Sequence, residues 1–242
     1  MGKKLVFFLT YILLLPTFAQ ELSIVTEQYP PYNYQENGKI VGVSTEVIQA
    51  VLAELNIEAE ISILPWSRAL DKAKREQNVL IYSISRIPER EIHYKWVGVI
   101  ASIDFYLFAL DERKDITIDK LNDAKNYHIA VALGDAQEHF FSRHNFPNLH
   151  RVPSHEQAMK MLIKGRIDLW PISDFSGYYF LDKNNLSSDR IRKVYKINET
   201  SDVMYMAFGA KTSDDVVNKF RTALETIKKN GIYDEILKKH SR

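Results

Sequence analysis

The sequence contains no cysteine, and that absence excludes three things at once: disulfides, thiolate catalysis and cysteine-held metals. It also excludes a bacterial lipid anchor, because no cysteine follows the N-terminal apolar run. An excess charge of one sign is missing too: 32 Lys+Arg stand against 31 Asp+Glu. A nucleic-acid partner would demand a basic surface, and electrostatic membrane binding would demand a basic cluster; neither is present. Glycine and proline are sparse, at 9 and 8 residues, so no flexible linker or low-complexity segment interrupts the chain. There is no internal repeat and no Gly-rich phosphate loop. After Leu15, no apolar run approaches the roughly 20 residues of a spanning helix.

What is present begins with an export signal. Lys3 and Lys4 give the positive start, Leu5–Leu15 the apolar run, and Pro16-Thr-Phe-Ala19 the small-residue cut site. Residues 1–19 are therefore read as a signal peptide cleaved after Ala19, with an uncleaved anchor helix as the alternative. Removing them takes Lys3 and Lys4 and leaves 223 residues with a net charge of −1. Without disulfides, an exported chain of this length must rely on its core, and 45% hydrophobic residues supply enough for one large core or two smaller ones.

Strands and helices alternate along the rest. A strand over Leu22 and Ile24 ends at Thr26-Glu27, where Tyr29-Pro-Pro-Tyr32 forbids continuation. Asn37-Gly38 reads as a hairpin turn. Ser44 or Thr45 is expected to cap a helix with Val47, Ile48, Val51, Leu52 and Leu55 on one face. Ile61 and Ile63 mark a second strand, and a helix follows Trp66. Tyr127–Leu133 reads as a strand, Gly134-Asp135 as a turn and Gln137–Arg143 as a helix. Ser154 and Gln157 form a capping box ahead of Ala158, Met161 and Leu162. Arg166–Pro171 and Val203–Phe208 read as strands. A long helix capped by Thr212 or Ser213 buries Val217, Phe220, Leu224 and Ile227, stops at Asn230-Gly231, and is followed by a short helix over 232–239. This order implies α/β architecture with mainly parallel sheets.

The chemistry concentrates in Ile81–Arg90. An apolar strand (Leu80–Tyr82) runs into the hydroxyls of Ser83 and Ser85, and the segment closes on Arg90. A guanidinium fork beside hydroxyls and free backbone N–H groups suits a small carboxylate. The alternative is a polar loop with Arg90 in a surface ion pair. His139, His144, His150 and His155 cluster at spacings of 5, 6 and 5, which do not share a helix face, so they read as a solvated surface rather than a metal site. No nucleophile motif suggests catalysis, and no cofactor is implied.

The order of Tyr29-Pro-Pro-Tyr32, Gly42, Ser83–Arg90, Gly134, Gly165-Arg-Ile-Asp168 and Lys229-Asn-Gly-Ile-Tyr233 resembles the family 3 bacterial extracellular solute-binding proteins. Pro65-Trp-Ser-Arg-Ala69 and Trp96-Val-Gly98 are similar to one branch of that family. The resemblance implies a two-lobed periplasmic-binding-protein fold of type II, with crossing strands near 104–108 and 203–206. Residues 20–104 and 206–242 would form lobe 1, and 105–205 lobe 2. It further implies a monomeric periplasmic receptor that encloses a small carboxylate ligand, most simply a polar amino acid, and delivers it to the permease of an ABC importer.

By the same resemblance, Arg90 and Ser85 grip the ligand carboxylate, with Ser83 beside them. The turn Gly134, Asp135 and Ala136 offers it backbone N–H groups, although Asp135 replaces a small hydroxyl common there. Tyr29 and Trp66 sandwich the ligand's side chain, Glu27 meets its end, and Asp174 is the candidate for its ammonium group. Arg68 and Arg86 are further positive charges near this cleft. Trp170 and Tyr178 are candidates for the lobe 2 wall, with core packing as the alternative. Two other roles on the same scaffold remain open: a sensory ligand-binding protein, and a dehydratase-like enzyme using Glu27, Asp135 or Asp174 as a general acid.

Overall fold

The computed structural model describes residues 22–200 and 202–240; the signal-peptide expectation lies outside them. The chain opens with β1 (Ser23–Thr26), a hairpin of β2 (Tyr34–Glu36) and β3 (Lys39–Val41), and α1 (Val43–Glu54). Then follow β4 (Ile61–Ile63), α2 (Trp66–Arg75), β5 (Val79–Ile84), β6 (Tyr94–Ser102) and β7 (Phe105–Leu110). The middle holds β8 (Ile129–Ala132), α3 (Ala136–Arg143), β9 (Leu149–Val152), α4 (His155–Ile163), β10 (Trp170–Ser173), α5 (Asp174–Lys183) and β11 (Ile191–Lys196). The chain closes with β12 (Val203–Gly209), α6 (Asp214–Lys229) and α7 (Ile232–His240).

Two lobes result. The first is built on a five-stranded sheet of order β4-β1-β5-β12-β6. Its core strands β4, β1 and β5 are parallel, as the strand–helix alternation requires. The second holds the three-stranded order β10-β7-β11 and the parallel pair β8-β9. Antiparallel pairings enter through the strands next to the crossings. β12 runs antiparallel to both β5 and β6, and β7 antiparallel to both β10 and β11. A strand arriving from the other lobe reaches its sheet from the opposite end. This makes the five-stranded sheet mixed and the three-stranded sheet wholly antiparallel, departing from the mainly parallel sheet expected in each lobe. The crossings lie side by side: the Ile103 N–H donates to the Asp202 carbonyl at 2.8 Å, and the Ile197 N–H to the Phe105 carbonyl at 2.9 Å.

Helix faces follow the sequence periodicity. α6 buries Val217, Phe220, Ala223, Leu224 and Ile227, with Ser213 accepting from the Val216 N–H as its cap. Asn37 and Gly38 both take positive φ (49° and 77°), the turn a two-residue hairpin needs. The start of α1 differs from expectation. Ser44 and Thr45 lie inside the helix and are fully buried, and the cap position is Gly42. The free N–H groups of that first turn go instead to the Tyr29–Tyr32 loop. Val43 donates to the Pro31 carbonyl at 3.3 Å, and Ser44 and Thr45 donate to the Tyr32 carbonyl at 2.9 and 3.3 Å. Thr45 turns its hydroxyl to the Val41 carbonyl and the Tyr82 hydroxyl. A loop destined for the cleft thus caps the helix behind it.

Candidate functional site

The site lies where both lobes meet. At the end of β5, Ser83 is skipped by the ladder: β12 pairs Tyr205 with Ile84 and Met206 with Tyr82, leaving Ser83 as a bulge. Its φ of 59° is a left-handed conformation that a non-glycine side chain rarely adopts. Its hydroxyl is buried without a partner. Bulges of this kind re-aim side chains beside functional sites. A 3-10 turn, Pro88–Arg90, then folds the chain back, with proline at its first position where no N–H is required.

That turn buries Arg90, which is only 4% exposed, so the surface ion-pair alternative does not hold. Its Nη1 donates to the Ser85 carbonyl at 2.7 Å, and its Nη2 reaches across to the Gly134 carbonyl at 2.8 Å. The guanidinium also stacks over the Trp66 ring, 5.4 Å from its centroid. Trp66, at the start of α2, donates its Nε1 to the same Gly134 carbonyl at 3.2 Å. Gly134 has φ 78°, and a Cβ there would stand 3.2 Å from Leu70 Cδ1, so glycine lets α2 approach the turn.

Further contacts join the lobes. Ser176 donates its hydroxyl to the Pro30 carbonyl, and Arg143 Nη1 meets both Glu89 oxygens at 2.8 and 2.7 Å. Tyr29 is buried, stacked on Tyr32 with centroids 5.8 Å apart and 5.2 Å from the His155 ring of the other lobe.

The turn Gly134–Ala136 is occupied by its own acids. The Gly134 N–H donates to Glu138 at 2.7 Å, the Ala136 N–H to Asp135 at 2.6 Å, and the Asp135 N–H to the Ala132 carbonyl at 3.2 Å. Asp135 caps α3 and meets His155 Nε2 at 3.1 Å. Burial pushes the Asp135 carboxyl up. The hydrogen bond and charge of His155, the Arg90 charge and the Ala136 N–H outweigh that, holding it below the usual carboxylate range. His155 is 4% exposed, which corrects its expected place on a solvated surface. A histidine opening a helix carried no sequence signal that it faces the cleft.

Glu27, directly after β1, feels the charges of both Asp135 and Arg90. Burial raises its pKa well above the ordinary value, the Asp135 charge raises it further, and Arg90 only partly opposes them. The fold therefore holds the Glu27 proton more tightly than the unfolded chain does. That stabilisation is complete below the ordinary carboxylate range and is lost as pH rises through the folded-state value. Glu27→Gln should therefore melt several degrees above the parent at pH 8, with the gap closing toward pH 4. A gap that widens on acidification would contradict the placement of this carboxyl.

The structure does not bring the remaining candidates into this group. Asp174 is the first residue of α5, capped by Ser173, and its Oδ2 pairs with Lys193 Nζ at 2.6 Å. Arg86 makes a two-point pair with Glu91 at 2.8 and 2.9 Å on the exposed face, and Arg68 is exposed. Trp170 is fully buried against Phe180. Among the described residues, no three His, Asp or Glu side chains gather as a metal site.

At this junction Arg90, Glu27, Tyr29 and Trp66 of lobe 1 meet Gly134, Asp135 and His155 of lobe 2. The chain is 24% identical over 224 residues to the arginine-binding periplasmic protein of Mannheimia haemolytica, covering 91% of each. It is 23% identical over 220 residues to the arginine-binding extracellular protein of Bacillus subtilis, covering 87% of this chain and 82% of that protein. A histidine kinase sensor domain with similarity to periplasmic binding proteins superposes with TM-score 0.82 at 19% identity, covering 91% of this chain and 95% of that one. The model of the bacterial extracellular solute-binding proteins, family 3, matches residues 22–242, and the chain belongs to that family.

Proposed function

We propose that this protein is a non-catalytic periplasmic receptor that closes its two lobes around a small amino acid and delivers it to the permease of an ABC importer. The observation that carries the reading is Arg90, buried between the lobes with N–H donors left over beyond the Ser85 and Gly134 carbonyls. A guanidinium keeps its charge when buried, and enclosure strengthens its pairing with a carboxylate. Tyr29 and Trp66 provide flat apolar surface for the ligand's stem. Asp135 supplies negative charge from lobe 2, with the Glu27 carboxyl, whose pKa burial raises, beside it as a hydrogen-bonding group, since Asp174 already carries Lys193. The arginine-binding relatives support an amino acid as the ligand class. Residues 20–104 with 206–242, and 105–205, would move as bodies about the paired crossings. The protein works as a monomer after cleavage at Ala19.

The test is a thermal-shift screen of mature protein, refolded to strip carried-over ligand, against amino acids, small peptides, polyamines, dicarboxylates and aromatic acids. A ligand at 100 times its Kd adds about 2.7 kcal/mol, a readable shift. A hit among α-amino acids supports the reading, and silence from all of them removes it. A second reading, reporting to a sensor kinase rather than a permease, draws on the superposition with a kinase sensor domain. Deletion of the cognate permease separates the two: uptake of the ligand stops only in the transport case.

A further inference from the structure

The turn after β8 has the reverse of the polarity that a carboxylate site needs. Its three backbone N–H groups are spent on Glu138, Ala132 and Asp135, and its own side chain is a carboxylate. Asp135 is held from several sides. From α3 come the Ala136 N–H and the Gln137 amide, whose nitrogen stands 3.1 Å from both oxygens once oriented toward them. From α4 comes His155 Nε2. From lobe 1 come the Arg90 charge and, on the opposite sign, Glu27, with Tyr29 packed on the His155 ring. His155 Nδ1, on a residue 4% exposed, has no hydrogen-bond partner, and neither has Ser83 Oγ at the β5 bulge of lobe 1. Unpaired buried polar atoms are costly, and one on the histidine that holds Asp135, where Tyr29 of lobe 1 packs on its ring, marks a place that can receive a polar group.

We propose that Asp135, positioned by His155, is the specificity-determining residue of lobe 2 and takes a cationic group of the ligand. Arg90 in lobe 1 then grips the carboxylate alone. This rests on the amino-acid reading above and narrows it to amino acids whose side chain ends in an ammonium or guanidinium group. A dicarboxylate would set its second charge against Asp135 and be rejected, since like charges repel strongly in an enclosed site. His155 is a positioning residue: it fixes the carboxylate without touching the ligand's carbon frame.

The experiment is calorimetric titration of refolded wild type and Asp135→Asn with L-arginine, its decarboxylated amine agmatine, L-glutamine, L-glutamate and succinate. Asparagine still caps α3, so the variant keeps that turn. Wild type should rank arginine above glutamine and reject glutamate and succinate. Asp135→Asn should lose arginine affinity about 30-fold or more while glutamine changes less than about threefold. His155→Gln should weaken arginine binding less than Asp135→Asn while leaving glutamine affinity nearly unchanged, a selectivity readout that loss of packing alone would not give. If the variants do not fold, the wild-type ranking decides. Glutamate or succinate binding as tightly as arginine overturns the proposal, as does unchanged arginine affinity in Asp135→Asn. Agmatine binding without any amino acid overturns the amino-acid reading alone. No binding across the panel overturns both.

Discussion

Arg90→Ala should cost the protein at least about 100-fold in ligand affinity while leaving its circular dichroism unchanged. Removing one partner of a buried charge pair strands the other, and such truncations cost roughly 3–5 kcal/mol, with every 1.4 kcal/mol a factor of ten. The same change takes the donors from the Ser85 and Gly134 carbonyls and uncovers the Trp66 face. Lobe closure should therefore weaken along with ligand grip. Arg90→Lys tests the fork itself. Lysine keeps the charge but cannot bridge Ser85, Gly134 and a carboxylate together, so it should recover only a small part of the loss. Both variants are measured by calorimetry with the best ligand of the thermal-shift screen. Parent-like affinity in Arg90→Ala would remove the carboxylate assignment.

The second large effect is on stability. Gly42 has φ 115° and ψ 164°, and a Cβ there would overlap the carbonyls of Tyr32 and Pro31. Those carbonyls accept the first N–H groups of α1, so the loop cannot withdraw without uncapping the helix. Gly42→Ala should cost at least about 3 kcal/mol, combining a φ hostile to L side chains with lost helix-start bonds. For a chain of this size that is about 10 °C in Tm. Because Tyr29 and Tyr32 sit in the same loop, ligand affinity should fall as well. An alanine variant melting within about 2 °C of the parent would contradict this account of the helix start.

The elements that the sequence made legible are those whose signals are local. The α6 face, its Ser213 cap and the Asn37-Gly38 hairpin depend on spacing and turn chemistry within a few residues. Elements set by distant partners were harder to see. β9 and β11 read as strands only because β8 and β7 lie beside them; the four residues of β9 carry little pattern. Ser44 and Thr45 looked like caps because nothing nearby shows that the loop ahead of the β2–β3 hairpin would supply carbonyls instead. In the cleft, Arg90 was legible through its company of hydroxyls after an apolar strand. His155 was not, because a histidine opening a helix looks the same whether it faces solvent or a second lobe. Ser83 was legible as a hydroxyl but not as a bulge, since its left-handed backbone follows from the register of β12 against β5.

The central claim is that one small molecule is held between the lobes with its carboxylate on Arg90. A crystal structure of the refolded protein grown with the tightest ligand of the screen tests it most directly. The account predicts a single ligand with carboxylate oxygens about 3 Å from the Arg90 guanidinium, its stem between Tyr29 and Trp66, and its cationic end toward Asp135 and Glu27. A ligand bound outside the cleft, or inside it with a carboxylate that leaves Arg90 untouched, would contradict it.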